Sequence, residues 1–125
     1  MHVMTFRRKV KPGLKLGRKI GFPTLNFNVG DFGQHVQPGV YHCQVFVEGK
    51  PFKGALFYGS KMGSLSKTLE IFVLGFSGKI YGQFVRFTVG KKIRAPKKFA
   101  SLESLKGQIK KDVRAISTFS RIQAP

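Results

Sequence analysis

Negative charge is what this sequence has least of: 5 Asp+Glu stand against 23 Lys+Arg, a formal net charge of +18. Such a balance points first to nucleic acid or another polyanion as partner. There is a single cysteine, Cys43, and no tryptophan. One thiol excludes an internal disulfide framework and any cysteine-based zinc cluster, and fits a reducing compartment. Long apolar runs are also missing. The longest, Ile71 to Leu74 with Phe76 after a glycine, falls far short of the ~20 residues that span a bilayer. No charged-then-apolar signal peptide opens the chain. The expectation is a soluble, cytoplasmic protein without membrane contact. What the sequence does have is 42% hydrophobic residues, with 13 phenylalanines and 15 glycines in 125 residues. That content rules out intrinsic disorder, and a chain of this size buries roughly two-thirds of its surface around one core. Residues 1–125 are therefore read as one domain, expected to be a monomer.

Local patterns are mostly β. Tyr41, Cys43, Val45 and Val47 alternate with Val40, His42, Gln44 and Phe46, a turn follows at Glu48-Gly49-Lys50, and a second β-rich run covers Phe52 to Tyr58. This reads as a hairpin. Thr68 to Phe76 reads as another strand, with Leu69, Ile71 and Val73 on one face. Ser77-Gly78-Lys79 reads as its turn and Ile80 to Val89 as the returning partner. With a shorter strand near Met4 to Val10, about six strands are expected, in an antiparallel barrel or sandwich. Only the C-terminal part differs. Ser101 is placed to cap a helix in which Leu102, Leu105, Ile109, Val113 and Ile116 recur at three- and four-residue steps. Its apolar stripe must pack on the sheet, which predicts a small barrel closed by one helix.

The least regular stretch is Lys11 to Asn28, KPGLKLGRKIGFPTLNFN. Glycines at 13, 17 and 21 let backbone N–H groups approach an anion, Lys and Arg supply charge, and a Thr hydroxyl beside proline can hold magnesium bridging phosphates. A basic loop with turn glycines fits the composition equally, because the spacing is neither the Walker A nor the dinucleotide-binding pattern.

The string GRKIGFPTLNF, with Val10-x-x-Gly13 before it, resembles the signature of the riboflavin kinase family. The likeness continues through PGVYHCQVFVEGKPF, KTLEIFVLGF, KIYGQFVRFTV and IRAPKKFASLESLKGQIKKD, five segments in order over residues 10 to 112. The resemblance implies a mainly β fold, a six-stranded antiparallel Greek-key barrel with a C-terminal α-helix, the shape the strand pattern reaches independently. It also implies transfer of the ATP γ-phosphate to the 5′-hydroxyl of riboflavin, giving FMN and ADP, with Mg²⁺ as the divalent cation. On this resemblance Thr24 and Asn26 serve the metal and the phosphates. Glu70 is the general base, and Gly13, Gly17, Arg18 and Gly21 belong to a phosphate flap. Arg94, in a loop before the helix, lies on the flavin side, and Phe99 anchors the helix start. Glu70 lies between Leu69 and Ile71 in an apolar run, which favours a role over a solvent-facing position. Arg18 and Arg94 also read as plain loop or strand-end charges. His2, His35 and His42 have no metal-ligand spacing.

The chain departs from the family pattern at Arg8 and Leu25, at Met62 and Gly63 within YGSKMGS, and at Gly75 and Pro96. No adenylyltransferase module is recognised, so the implied product is FMN. Two other classes stay open: a basic barrel that binds nucleic acid, with the Lys/Arg runs at 7 to 19 and 86 to 114 as footprint, and a relative that binds flavin without catalysis.

Overall fold

A computed structural model describes residues 4–12, 24–60, 65–76, 78 and 80–118. Gly13, Gly17, Arg18 and Gly21 of the expected phosphate flap lie outside these residues. So do Met62 and Gly63. Among the described residues there are six strands: β1 Met4–Lys11, β2 Thr24–Phe27, β3 Gly39–Val47, β4 Lys50–Ser60, β5 Lys67–Val73 and β6 Phe84–Arg94. A 3₁₀ turn spans Phe32–Gln34, and a helix, α1, spans Leu102–Ser117. The strands close into an antiparallel barrel in the order β1-β2-β5-β4-β3-β6. This is the expected fold. No helix of the described residues is long and apolar enough to cross a membrane.

Two local expectations are corrected. The stretch read as loop down to Asn28 ends in a strand: Leu25 and Phe27 of β2 point into the core while Thr24 and Asn26 face outward. The second hairpin does not exist. The β3–β4 hairpin forms with Val47 opposite Lys50, but β5 pairs with β2 and β4, and β6 pairs with β1 and β3. Between β5 and β6 the chain crosses a barrel end. Gly75 and Gly82 sit at φ +79 and +84, turning the chain through left-handed backbone that side-chain-bearing residues disfavour. Ile80 plugs the core, and the crossing is tied to β1 by Gly82 N–H donating to the Val10 carbonyl (2.7 Å) and Val10 N–H to the Gln83 carbonyl (2.8 Å). Strand β6 accordingly starts at Phe84 and runs on to Arg94.

The barrel interior is aromatic at one end, where Phe27 and Phe32 surround Phe87 (centroids 5.2 and 6.4 Å) and Tyr58 meets Phe32 edge-on (5.1 Å). A second cluster lies outside the barrel, where Ala55 and Phe72 meet Leu105, Ile109, Val113 and Ile116 of α1, with Phe99 packed beside them. The Ser101 hydroxyl caps α1, accepting from Ser104 N–H at 3.1 Å. Such a cap contributes about 1 kcal/mol. Truncating a buried Ile to Ala costs about 2–5 kcal/mol, so the stripe, with Ile116 fully buried, holds the helix more than its cap does. Lys53 Nζ donates to the Ser117 carbonyl (3.1 Å), placing a cation at the helix C-terminus.

Covering the outer face buries His42, which the alternation places opposite the inward Cys43. Desolvation, reinforced by the Lys53 ammonium, holds its imidazole below the ordinary value of 6.5. The unfolded chain therefore binds a proton that the folded chain resists. Stability is lost as pH falls through 6.5 and levels off below the folded value. The melting temperature should drop between about pH 7 and about pH 5, and the drop should shrink in a His42→Gln variant measured by thermal circular dichroism.

Candidate active site

Antiparallel registers place directly opposed residues on the same face of a sheet. Following them around the barrel gives one outward row: Asn26 opposite Glu70, Glu70 opposite Phe57, Phe57 opposite Val40, and Val40 opposite Arg94. A parallel row runs Thr24, Phe72, Ala55, His42. Four residues singled out in the sequence thus lie at the two ends of one surface. Thr24, Asn26 and Glu70 form a polar end on β2 and β5. Arg94 stands three interstrand steps from Glu70, roughly 14 Å along the wall at normal strand spacing.

The polar end is a hydroxyl, an amide and a carboxylate on adjacent strands. Thr24 and Asn26 are half-buried, while Glu70 is only 5% exposed. A carboxylate so placed is shielded from bulk water, where its charge acts more strongly on whatever occupies the site. No cluster of three His, Cys, Asp or Glu capable of holding a metal exists among the described residues. The donors at this end, apart from Glu70, are neutral oxygens. Between the two ends, Val40, Phe57 and Phe72 form the floor of a narrow apolar cleft, and Leu105 and Ile109 of α1 form its wall.

Arg94 closes the other end, and there the structure adds a residue the sequence reading missed. Rather than standing in a loop, Arg94 ends β6, and its guanidinium is clamped by Asp112 of α1. Nε donates to Oδ1 (2.9 Å) and Oδ2 (3.2 Å), and Nη2 donates to Oδ2 (2.9 Å). Gln108 Nε2 donates to the same carboxylate at 3.1 Å, and Lys97 Nζ donates to Gln108 Oε1 at 3.3 Å. Asp112 is 3% exposed, and its bidentate partner fixes the planar fork. The signal was present: Asp112 lies next to Val113 on the buried face of the helix, where an acid needs a partner. Gly39 lets the pair form. A Cβ there would stand 2.9 Å from the Arg94 carbonyl oxygen, so a larger residue would push β6 away from β3 where Arg94 is positioned. Phe99 lies beneath the guanidinium, 5.9 Å from ring centroid to Cζ.

Comparison with known proteins identifies the family. A family model described as riboflavin kinase (flavokinase) matches residues 1–120. The chain belongs to the riboflavin kinase family. Among curated relatives, the RNA-binding riboflavin kinase RibR of Bacillus subtilis is 41% identical over 111 residues, covering 86% of this chain and 47% of the relative. The bifunctional riboflavin kinase/FMN adenylyltransferase of Haemophilus influenzae is 40% identical over 116 residues, covering 89% of this chain and 37% of that protein. The chain therefore spans less than half the length of these relatives. Among solved structures, riboflavin kinase from Trypanosoma brucei superposes with a TM-score of 0.64 at 29% identity, covering 94% of this chain and 79% of the other. A Streptococcus pneumoniae structure described as a macrolide-efflux protein superposes with a TM-score of 0.80 at 26% identity, covering 94% of this chain and 40% of that one.

Within this family fold, the Arg94–Asp112 pair joins the last strand to the helix, and its two side chains are 15% and 4% exposed. Removing one partner of a buried pair leaves a charge unmatched and costs about 3–5 kcal/mol, whereas an apolar replacement of both is close to neutral. Asp112→Ala should lower the unfolding free energy obtained from urea titration by an amount in that range, while Arg94→Met/Asp112→Leu should keep most of the stability. Equal losses in the two variants would reject the pair as the element joining β6 to α1.

Proposed function

We propose that the chain transfers the γ-phosphate of ATP to the 5′-hydroxyl of riboflavin, yielding FMN and ADP, and that the row from Asn26 to Arg94 is the surface on which it does so. The supporting observation is the spacing of that row. Riboflavin carries its reacting hydroxyl at the end of a five-carbon chain, away from a flat apolar ring system. A carboxylate at one end of the row, an apolar floor of Val40, Phe57 and Phe72, and a fixed guanidinium at the other end match that division of the substrate. The cleft between the barrel wall and α1 has room for about one water, so the ring system enters it only as α1 moves away from the wall, and burial of its faces then supplies the binding energy. Arg94, held flat by Asp112, meets the polar edge of the ring.

At the other end Glu70 takes the proton of the 5′-hydroxyl through a carboxylate oxygen as the alcohol oxygen attacks the γ-phosphorus. The bond from that phosphorus to the β,γ-bridging oxygen breaks, and ADP leaves. Thr24 and Asn26 would hold a divalent cation through their side-chain oxygens, as a magnesium ion that keeps several waters and is bound chiefly by substrate phosphates needs few protein ligands. A cation held there would supply charge to offset that of the phosphates. Asn26 stands directly opposite Glu70 in the β2–β5 register, a position from which its amide orients the phosphates relative to the base. Gly13, Gly17, Arg18 and Gly21 cover the phosphates on the family resemblance, with backbone donors and one guanidinium.

Incubation with riboflavin, ATP and Mg²⁺ should give FMN, separated from riboflavin by chromatography. Glu70→Gln keeps the shape and removes the base. A general base contributes roughly 10²- to 10⁴-fold, so kcat should fall within that range while quenching of flavin fluorescence on binding persists. FMN formation at an undiminished rate in Glu70→Gln would remove Glu70 from this role. Quenching without FMN in the unmodified protein would reduce the chain to a flavin binder. Thr24→Ala should raise the Mg²⁺ concentration needed for half-maximal rate and leave quenching by riboflavin alone intact.

A further inference from the structure

The outer wall of β1 and of the first half of β6, away from Arg94 at the far end of that strand, has another chemistry. In the β1–β6 register Arg7 faces Arg86 and Lys9 faces Phe84, and in the β3–β6 register Phe46 faces Arg86. Opposed residues share a face, so these five side chains form one outward patch. The Arg7 guanidinium lies over the Phe84 ring at 4.1 Å and the Arg86 guanidinium over Phe46 at 5.0 Å, measured to the centroids. Phe84 is nonetheless 52% exposed, and Tyr81, three residues earlier, is 42% exposed.

Two features of this patch run against what folding alone would select. Like charges set directly opposite in a sheet repel, yet Arg7 faces Arg86. Among the described residues no carboxylate pairs with Arg7, Lys9 or Arg86: Asp31 pairs with Arg8, Asp112 with Arg94 and Glu103 with Lys106. An anion lying across the two arginines would relieve the repulsion. Large rings are also left in water beside these cations, where a closed barrel gains nothing from them. A ligand that is at once anionic and aromatic uses both. Duplex nucleic acid keeps its base faces stacked inside, and an acidic peptide needs no exposed ring. A single strand presents phosphates and open base faces together, and bases stack on aromatic rings and on guanidinium planes alike.

We propose that the outer wall of β1 and β6, centred on Arg7, Lys9, Phe84 and Arg86, binds single-stranded nucleic acid, with bases stacked on Phe84 and on the guanidiniums and phosphates held by the basic side chains. Glu70 on β5 lies across the barrel from this surface and Arg94 lies eight residues along β6 from Arg86, so none of the four side chains belongs to the row from Asn26 to Arg94.

Fluorescence anisotropy with labelled oligouridylate and oligothymidylate over a salt series tests it. Log affinity should fall linearly with log salt, by about 0.7 per phosphate contacted. Phe84→Ala should weaken binding roughly ten-fold with little change in salt slope. Arg7→Gln/Arg86→Gln should weaken it at least as much and flatten the slope, while the melting temperature holds or rises because the repulsion is gone. Lys110→Gln/Lys111→Gln removes the same charge from the exposed side of α1 and should change affinity little. All three variants should form FMN at the unmodified rate. The two single strands distinguish RNA from DNA as the source, and tight binding of either supports the surface. The proposal is overturned by any of three results: no binding to either strand at the lowest salt, equal losses from the two double variants, or duplex or polyglutamate binding as tightly as the single strands with no dependence on Phe84.

Discussion

Strands β3, β4 and β5 carry buried apolar residues on their outer face as well as their inner one, and most of the molecule's arrangement follows from having to cover the outer set. Their inward residues, among them Cys43, Leu56 and Ile71, fill the barrel; their outward residues, Val40, Ala55, Phe57 and Phe72, are buried as well. Closing a sheet into a barrel satisfies only the inner face. The outer face needs a separate cover, and α1 supplies it with Leu105, Ile109, Val113 and Ile116. Where that cover stops, apolar strand positions give way to Glu70 and Asn26 on one side and Arg94 on the other. The candidate site is thus the rim of a packing interface. Its cleft exists because a helix laid on a curved sheet leaves a gap along one edge.

The scarcity of acids makes the placement of each one informative. Five carboxylates cannot neutralise 23 cations, so none is needed merely for solubility. Asp31 is shifted below its ordinary value, first by its hydrogen bond to Arg8 and then by that to His35, in an exposed position where such a pair contributes little. Asp112 does more, because it is buried and fixes both the end of β6 and the guanidinium at the cleft. Glu70 is the other buried acid among the described residues. Asp112 lines the cleft, and Glu70 lies at the other end of the row, on the strand beside Phe57. This is the distribution expected where buried charge is tolerated for what it does to a ligand rather than for stability.

How much of this was legible in the sequence depended on distance along the chain. The β3–β4 hairpin and α1 were readable because their signals are local: alternation around a two-residue turn, and a cap followed by a 3.6-residue stripe. The apparent β5–β6 hairpin carried the same local signals and was wrong. Ser77-Gly78-Lys79 looks like a hairpin turn, but the chain bends again at Gly82 and ties back to Val10, a contact 72 positions away that no local pattern encodes. Strand β2 is four residues long and merged with the glycine-rich stretch before it. Thr24, Asn26 and Glu70 were found through family resemblance, and the register then placed Asn26 directly opposite Glu70. The clamp on Arg94 is 18 residues downstream. Its only sequence trace was an aspartate on an apolar helix face.

Screening separates the two surfaces and limits what the excess charge can do for the chemistry. The strands on opposite walls of a six-stranded barrel lie roughly 12 Å apart backbone to backbone, given normal spacing and tilt, and their outward side chains lie farther apart still. Exposed charges at that separation are largely screened at physiological salt, where the Debye length is about 8 Å. Arg7, Lys9 and Arg86 therefore contribute little to the potential at Glu70. Lys11, opposite Asn26 in the β1–β2 register, is near enough to act on phosphates at the polar end. A nucleotide triphosphate needs only a few such cations. The remaining basic residues on β1 and β6 must be explained by what binds to their own wall, and their opposed guanidiniums and exposed rings are more than solubility requires.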